Sequence, residues 1–398
     1  MTNRVSRWRH SLPSHVAIPL LLVAACSVTV PFTPRATAQV VTITPLPTQP
    51  TPTPRPRPRP RPTPPPKPVF QKPRLQWKTF LKRLDGTPAL VDRTSFVGAN
   101  TALYQIDSGG RTLWSTDTGT LHGFPAIDAD RVYVGSDRGV LFAMDRKTGQ
   151  IAWQFTGATS SLLTRPAVAE KLVVIESTDN NVYGVEASTG KQRWKFNRAD
   201  GSLGYSAPRY DSDTKSIYVA GETSLYRLDA TTGKQLWIAY IGGKSTSAPD
   251  VGGSRVYVGG DSTGLSAFSI SSGAPLWNFK GERADDWFGP PLYAAATVYV
   301  TTYSRYVYAV DAVTGKQKWS YRLPGNALAQ PALDVKRSTL YVTSGTFRDN
   351  PTITALDIKT GKFLWSYRAG YIAGAPVISA DRLFVGSTNG YYYAFSLD

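Results

Sequence analysis

The sequence predicts an all-β protein, an eight-bladed β-propeller of four-stranded antiparallel blades that spans residues 75–398. Three observations lead to this prediction. First, the segment Leu141–Trp153 (LFAMDRKTGQIAW) has near-copies along the chain at intervals of about 40 residues, a period typical of propellers and solenoids. Second, the copies alternate in the way that strands do and show no helical period. Third, the array lacks one strand at its C-terminal end and has one to spare at its N-terminal end.

The first element in chain order is an export signal at residues 1–38. Three arginines within the first nine residues precede the apolar segment Val16–Val30, as in a secretory signal. That segment is interrupted by Pro19 and is shorter than the run of about 20 apolar residues that a transmembrane helix needs. Two processing routes stay open: lipidation at Cys26, which ends a lipoprotein-box pattern, or cleavage after Ala38. Both predict an exported protein in the periplasm, at the outer membrane or at the cell surface.

The second element, residues 39–74, is a proline-rich linker. Prolines at alternate positions remove backbone donors and fix φ, so we expect an extended polyproline II spacer. Eleven of the 45 Lys and Arg residues, and none of the 28 Asp and Glu residues, lie in residues 1–74. The arginines of Arg55–Arg61 can therefore contact an acidic surface such as phospholipid or a wall polymer, although a solvated tether is the simpler interpretation. Elsewhere charges of both signs are interspersed, which argues against nucleic acid as a partner.

The remaining elements are the repeats. Each opens with a proline before a short innermost strand, which we name strand A. Strands B and C follow and are apolar on both faces, as blades that pack face to face require. The turn after strand C is built on Asp-x-x-Thr-Gly, in which Asp accepts from backbone donors and Gly takes a positive φ. Strand D, the outermost, carries one tryptophan. The prolines are Pro88, Pro125, Pro166, Pro208, Pro249, Pro290, Pro331 and Pro376. The tryptophans are Trp114, Trp153, Trp194, Trp237, Trp277, Trp319 and Trp365.

The repeats number eight, but only seven of these tryptophans follow them. The chain ends at Phe395–Asp398, where a turn and a D strand would follow, whereas Leu75–Phe80 (LQWKTF) has the pattern of a D strand with no repeat before it. We therefore predict that the strand with Trp77 completes the last blade and closes the ring, which removes unpaired sheet edges. An open solenoid is the alternative, and it would require capping ends that the sequence lacks.

Residues suited to catalysis or metal binding are few. The one histidine beyond the export signal is His122, a loop residue that could act as a general base but is more often simply solvated. The aspartates of the C–D turns belong to separate blades, so we expect no metal site there. Because Cys26 is the only cysteine, no intramolecular disulfide can form.

Taken together, these features resemble the pyrroloquinoline-quinone-like propeller repeats. The matching motif is Ala-x-Asp-x-x-Thr-Gly-Lys-x-x-Trp, present at Ala309–Trp319 and Ala355–Trp365. The resemblance implies two branches. One contains the quinoprotein dehydrogenases, longer enzymes whose cofactor site uses a disulfide between adjacent cysteines and a bound calcium. The other contains the non-enzymatic propeller lipoprotein of the outer-membrane β-barrel assembly machinery, which scaffolds partner proteins. Because the propeller has no cysteine, the chain is closer to the second branch.

A binding face is predicted from the loops. In a propeller the D–A and B–C connections lie on one face, and here they vary while the C–D turns are uniform, as expected of a binding face. The longest departures from the repeat are neighbours around the ring and carry Trp, Tyr and Arg, which are enriched at binding hot spots. The candidate partner-binding residues are Asp286, Trp287, Phe288, Tyr303, Arg305, Tyr306, Phe347 and Arg348. Trp287 has an equally weighted alternative role as an anchor folded over the mouth of the central channel.

The sequence therefore favours an extracytoplasmic, non-enzymatic protein-interaction scaffold in the cell envelope. Outer-membrane protein assembly is the role that the resemblance implies. We expect protein partners, a monomer, no cofactor and no catalytic residue, with a membrane tether through Cys26 as one processing outcome. Two other functions stay open. One is a quinoprotein-like dehydrogenase that binds pyrroloquinoline quinone and calcium in the central funnel, and the other is a secreted binder of glycans or wall polymers.

Overall fold

The computed structural model describes residues 73–84, 86–119, 121, 124–201, 206–245, 247–283, 285–345, 351–370, 372 and 374–398. Within these ranges the chain forms 32 β-strands in eight sheets. No helix in this part of the chain is long and apolar enough to span a membrane. The export signal with Cys26, the linker as far as residue 72, His122, Phe347 and Arg348 lie outside the described residues.

The strands follow one another in chain order, four to a sheet. The first is β1 (Arg74–Phe80). Blades 1 to 4 contain β2 (Ala89–Val91), β3 (Thr94–Ala99), β4 (Ala102–Ile106), β5 (Thr112–Asp117); β6 (Ala126–Ile127), β7 (Arg131–Gly135), β8 (Leu141–Asp145), β9 (Ile151–Phe155); β10 (Ala167–Ala169), β11 (Leu172–Glu176), β12 (Asn181–Glu186), β13 (Gln192–Asn197); and β14 (Arg209–Asp211), β15 (Ser216–Ala220), β16 (Ser224–Asp229), β17 (Gln235–Tyr240). Blades 5 to 8 contain β18 (Asp250–Gly252), β19 (Arg255–Gly260), β20 (Gly264–Ser269), β21 (Pro275–Phe279); β22 (Leu292–Ala294), β23 (Thr297–Thr301), β24 (Tyr306–Asp311), β25 (Gln317–Arg322); β26 (Ala332–Asp334), β27 (Thr339–Ser344), β28 (Thr352–Asp357), β29 (Phe363–Arg368); and β30 (Val377–Ser379), β31 (Arg382–Gly386), β32 (Tyr391–Ser396).

The ring closes through the N-terminal strand. Seven sheets contain four consecutive strands, and the eighth has the order β1-β32-β31-β30. Strand β1 pairs antiparallel with β32, from Arg74 opposite Ser396 to Phe80 opposite Tyr391. The predicted eight-bladed propeller, closed by the strand that carries Trp77, is therefore confirmed.

The core lies between the blades. Strands B and C are sandwiched by neighbouring sheets, so both of their faces are apolar; in β11 (LVVIE) all five residues are buried. Each of the eight contacts between adjacent blades has its own apolar cluster in the described part of the chain. This arrangement explains why the B and C strands are near-continuous apolar runs while the outer strands carry polar residues.

The repeated tryptophan joins each blade to the next. Trp237 in blade 4 donates its Nε1–H to the carbonyl of Ile270 in blade 5 at 3.0 Å. Its ring lies on Gly273, where φ is +73° and an added Cβ would come within 2.8 Å of the ring. Glycine is needed there both for the positive φ and for the close approach of the ring. Trp77 makes the equivalent contact with Ser108 and Gly110 across the closure.

The aspartate of the C–D turn orders that turn. Asp311 Oδ1 accepts the backbone N–H of Val313 at 3.1 Å and both the N–H and the O–H of Thr314 at 2.9 Å. These hydrogen bonds, the strongest from the Thr314 backbone, lower the pKa of Asp311 to about 2. The Asp311 carboxylate therefore serves to hold the turn through these hydrogen bonds.

Candidate functional site

The D–A and B–C connections surround a central funnel of about 730 Å³ at one end of the ring. All eight blades contribute to its wall, mainly through the residues next to the opening proline of strand A. These segments converge because strand A is the innermost strand of every blade. The funnel wall includes Thr87, Arg165, Asp250, Tyr303 and Gln330.

Two arginine side chains make contacts between blades in the funnel wall. Arg165 of blade 3 reaches past blade 2 and donates from Nη2 to the carbonyl oxygens of Thr87, at 3.2 Å, and Pro88, at 3.3 Å. Burial lowers the pKa of Arg165. Asp250 pairs with Arg209 at 3.1 Å and accepts a backbone N–H from blade 6 at 2.7 Å, while its burial raises its pKa. The funnel charges thus link different blades to one another.

The funnel residues do not fit a calcium-bound quinone. No group of three or more His, Cys, Asp or Glu side chains among the described residues is placed to hold a metal ion. Asp250, the funnel carboxylate, is already engaged by Arg209 and a backbone N–H. Residues 27–398 contain no cysteine, so the disulfide that the quinoprotein resemblance would require cannot form.

The carboxylate of Asp286 links two loops of blade 6 by hydrogen bonds. Its side chain lies in the D–A loop but is only 4% exposed. Oδ1 accepts the backbone N–H groups of Trp287, at 2.9 Å, and Ser304, at 3.0 Å, and Oδ2 accepts the hydroxyl of Ser304. A carboxylate that accepts several hydrogen bonds holds its neighbours in one geometry. Asp286 therefore positions the two loops and does not itself face solvent.

Trp287 and Tyr303 are the partly exposed aromatic side chains of the two loops that Asp286 links. Trp287 is 37% exposed and Tyr303 is 50% exposed, with ring centroids 6.2 Å apart. The N–H of Tyr303 donates to the carbonyl of Trp287 at 2.9 Å, and Trp287 also bridges to Asp261 of blade 5. Because Tyr303 lines the funnel as well, the pair stands at its mouth. The two rings are amphipathic and partly exposed, and backbone contacts order the loops that carry them.

Arg305 lies beside this pair in an uncommon backbone conformation. Its φ is +76°, a left-handed value that few non-glycine residues adopt. The carbonyl of Arg305 accepts the N–H of Leu323 at 2.6 Å, and its Nε donates to Asn326 Oδ1 at 3.3 Å. These contacts fix Arg305 between blades 6 and 7. We call Trp287, Tyr303 and Arg305 the aromatic ledge.

Phe288 and Tyr306, which are close to the aromatic ledge in the chain, pack into the core between blades 5 and 6. Phe288 is 1% exposed, and its ring stacks on Tyr308 with centroids 6.1 Å apart. Tyr306 stacks on the same Tyr308 at 5.6 Å. Both rings belong to the apolar cluster between blades 5 and 6. The structure thus brings six of the eight candidate residues together in blade 6. Three form the aromatic ledge, and the other three, Asp286, Phe288 and Tyr306, hydrogen-bond or pack behind it.

Two further features have no counterpart in the sequence reasoning. On β17 the outward-facing Leu236, Ile238 and Tyr240 are all exposed, whereas the equivalent positions of every other D strand include a polar or charged residue. The sequence signal for this exposed apolar strip is an apolar residue on each side of the repeat tryptophan, Leu236 and Ile238. The other feature is an ion pair between Glu176 and Arg198, whose side chains are fully buried. Burial lowers the pKa of Arg198 to about 10. No sequence pattern indicates that pair.

The fold and the repeat define the class of the protein. Eight four-stranded blades, seven of which dock on the next by a D-strand tryptophan over a turn glycine, make it a pyrroloquinoline-quinone-like β-propeller. The family model described as outer membrane protein assembly factor BamB matches residues 99–214, 203–288 and 286–398. The chain belongs to this family.

The relatives include members of both branches. Outer membrane protein assembly factor BamB of Yersinia pestis is 25% identical over 309 residues, which cover 74% of this chain and 67% of that protein. The crystal structure of BamB from Moraxella catarrhalis has the same fold, with a TM-score of 0.68 at 17% identity over 82% of this chain and 98% of that one. A quinoprotein alcohol dehydrogenase of Pseudomonas putida is 35% identical over 142 residues, which cover 32% of this chain and 23% of the enzyme. The enzyme match is therefore local.

Proposed function

We propose that the protein is an exported, non-enzymatic scaffold that assists outer-membrane protein assembly by binding protein partners at the aromatic ledge. Membership of the family described as outer membrane protein assembly factor BamB, over residues 99–398, supports the assembly role. In this proposal residues 1–38 direct export, residues 39–74 form a spacer, and residues 75–398 form the binding propeller. Its site of action is the periplasmic side of the outer membrane, with or without a lipid at Cys26.

The observation that carries the proposal is the exposure of Trp287 and Tyr303. Trp287 is the one propeller tryptophan outside the repeat position, so docking between blades does not account for it. A pair of partly exposed aromatic rings beside an arginine is the composition of an interface hot spot. Because hydrogen bonds to the Asp286 carboxylate already order the two loops, little backbone entropy is lost when a partner covers them.

The test is a double substitution at the ledge, Trp287→Ala with Arg305→Ala. Solubilised native envelopes are passed over the immobilised full chain, and captured outer-membrane assembly proteins are quantified by mass spectrometry. We expect binding to weaken by about 2 kcal/mol or more, as at hot spots, while the melting temperature changes by only a few degrees. Leu113→Ala with Arg193→Ala, an exposed leucine and arginine on other blades, is the matched control and should bind as wild type. A large loss of stability with unchanged binding would contradict the proposal.

A quinoprotein-like dehydrogenase is the second candidate, favoured by the local 35% identity to a quinoprotein alcohol dehydrogenase. Incubation with pyrroloquinoline quinone and calcium, followed by a dye-linked dehydrogenase assay, tests it directly. We expect no turnover, because the funnel lacks the cysteine pair and a cluster of metal ligands in the described residues. We propose that the protein needs no cofactor, and turnover in this assay would reverse the ranking. A glycan array tests the third function, binding of glycans or wall polymers.

A further inference from the structure

The funnel wall contains a layer of residues, one from each blade, just before strand A begins. Each stands two residues before the first residue of its A strand, and all of them line the funnel. Thr87 and Gln330 are the uncharged polar members, and the blades that contribute neither a polar nor a charged residue supply Phe, Pro or Ala. Arg165 of blade 3 is the one charged member. The layer is therefore a largely apolar ring of side chains that carries one positive charge.

Arg165 has no carboxylate partner in the part of the chain that the structure describes. Its polar contacts are those from Nη2 to the carbonyl oxygens of Thr87 and Pro88. An arginine also has N–H donors on Nε and Nη1, and among the described residues these find no acceptor. Neither atom is fully buried. Because Arg165 lines the funnel, these donors are open to it.

The other charges of the described funnel wall neutralise each other. Arg209 and Asp250 form an ion pair at 3.1 Å, and Asp250 also accepts the N–H of Tyr293. This wall therefore keeps one net positive charge, that of Arg165. Burial disfavours a charged group that lacks a counter-ion, and it lowers the pKa of Arg165. A bound anion would supply the missing counter-ion.

We propose that the funnel binds a small organic anion, with its acidic group on the Arg165 guanidinium and its apolar body against the Phe, Pro and Ala side chains of the layer. The funnel volume of about 730 Å³ lies within the range of small-molecule sites, about 300–1,000 Å³. Such sites combine apolar walls with a few placed polar groups, as this one does. The site needs no metal, and it does not depend on the partner-binding role of the aromatic ledge.

The test uses two fluorescent probes with the same aromatic rings. Anilinonaphthalene sulfonate is an anion, and phenylnaphthylamine lacks the sulfonate. Both are titrated into the full exported chain with a calcium chelator present. Arg165→Gln removes the funnel charge, and Ala248→Phe fills part of the funnel with the side chain that the same layer already holds at Phe124. The matched control is Arg193→Gln, which removes an exposed arginine from the outer strand of the same blade.

The wild type should bind the sulfonate more tightly than the neutral probe. A hydrogen bond to a charged group is strong, so Arg165→Gln should weaken sulfonate binding by about tenfold or more and leave the neutral probe unchanged. Arg165→Lys keeps the charge and should bind the sulfonate more tightly than Arg165→Gln. Ala248→Phe should weaken the binding of both probes, and Arg193→Gln that of neither. Thermal unfolding checks that every variant is folded.

Four results would overturn the proposal. The first is a wild type that does not prefer the sulfonate, and the second is equal sulfonate binding by the wild type, Arg165→Lys and Arg165→Gln. The third is an equal loss of both probes in Arg165→Gln, which would make Arg165 a structural link between blades. The fourth is unchanged binding in Ala248→Phe, which would place the probes outside the funnel. Partner capture at the aromatic ledge is measured without these probes, so the two proposals fail separately.

Discussion

Trp77→Ala tests whether the N-terminal strand closes the ring energetically as well as geometrically. Trp77 donates Nε1–H to the carbonyl of Ser108 in blade 1 at 2.8 Å. Its ring contacts Phe384 and Tyr392 of its own blade, with centroids 6.1 and 5.6 Å away, and covers Gly110 of blade 1. Truncation therefore removes contacts on both sides of the closure.

The expected loss follows from that environment. Truncation of a buried tryptophan to alanine lowers the free energy of unfolding by about 3–5 kcal/mol. Because the Trp77 ring stays partly accessible, we expect the lower end, about 3 kcal/mol, including about 1 kcal/mol for the hydrogen bond. With an unfolding entropy of about 2.1 cal/mol/K per residue over about 325 residues, this corresponds to a fall in melting temperature of about 4–5 °C.

Urea denaturation and thermal unfolding measure the change, and limited proteolysis reports whether β1 detaches. The internal control is Trp153→Ala, which removes an equivalent contact between blades 2 and 3, with Nε1–H donated to the carbonyl of Ala187 at 2.9 Å. We expect similar losses in the two variants and faster cleavage before Ala89 in Trp77→Ala alone. A loss below 1 kcal/mol for Trp77→Ala beside a full loss for Trp153→Ala would show that β1 is not part of the cooperative ring.

Three further predictions concern turns and a buried pair. Gly233→Ala should destabilise by about 3 kcal/mol or more in urea, because φ is +71° and the new Cβ would lie 2.6 Å from a tryptophan ring. Gly119→Ala, with φ of +75° and open space, should lose only about 1 kcal/mol. Arg198→Met should lose about 3–5 kcal/mol by leaving Glu176 buried without its cation, and adding Glu176→Leu should restore most of it. Asp311→Ala should reduce stability at neutral pH, because the folded pKa of Asp311 is about 2 against an ordinary 3.8. Its deficit against wild type should persist above about pH 4 and vanish as the pH falls towards 2.

The sequence alone determined the propeller, its blade count and its closure. These follow from signals that act over short distances. The Asp-x-x-Thr-Gly turn forms its hydrogen bonds within a few residues, as Asp311 does with Thr314, and the tryptophan lies at a fixed spacing beyond it. The repeat also shows the same pattern eight times, so the missing tryptophan after the last repeat is easy to see. Trp77, in a strand that precedes the first repeat, supplies it.

The sequence placed the candidate residues in the loops of blades 6 and 7, because residues that interrupt a regular repeat stand out. It could not separate the roles within that site. Trp287 and Phe288 are adjacent in the chain, yet one is partly exposed and the other is buried under Tyr308. Asp286 reads as a surface carboxylate, but it accepts hydrogen bonds from Ser304, eighteen residues away in another loop.

Only the tertiary structure decided these orientations, since they depend on which loop lies opposite. The buried pair of Glu176 and Arg198 likewise joins the end of a B strand to the residue after a D strand of the same blade, across the C strand that lies between them. Local turn chemistry and repeat spacing are therefore encoded along the chain, whereas exposure and charge clustering arise from the packing of segments that the sequence keeps apart.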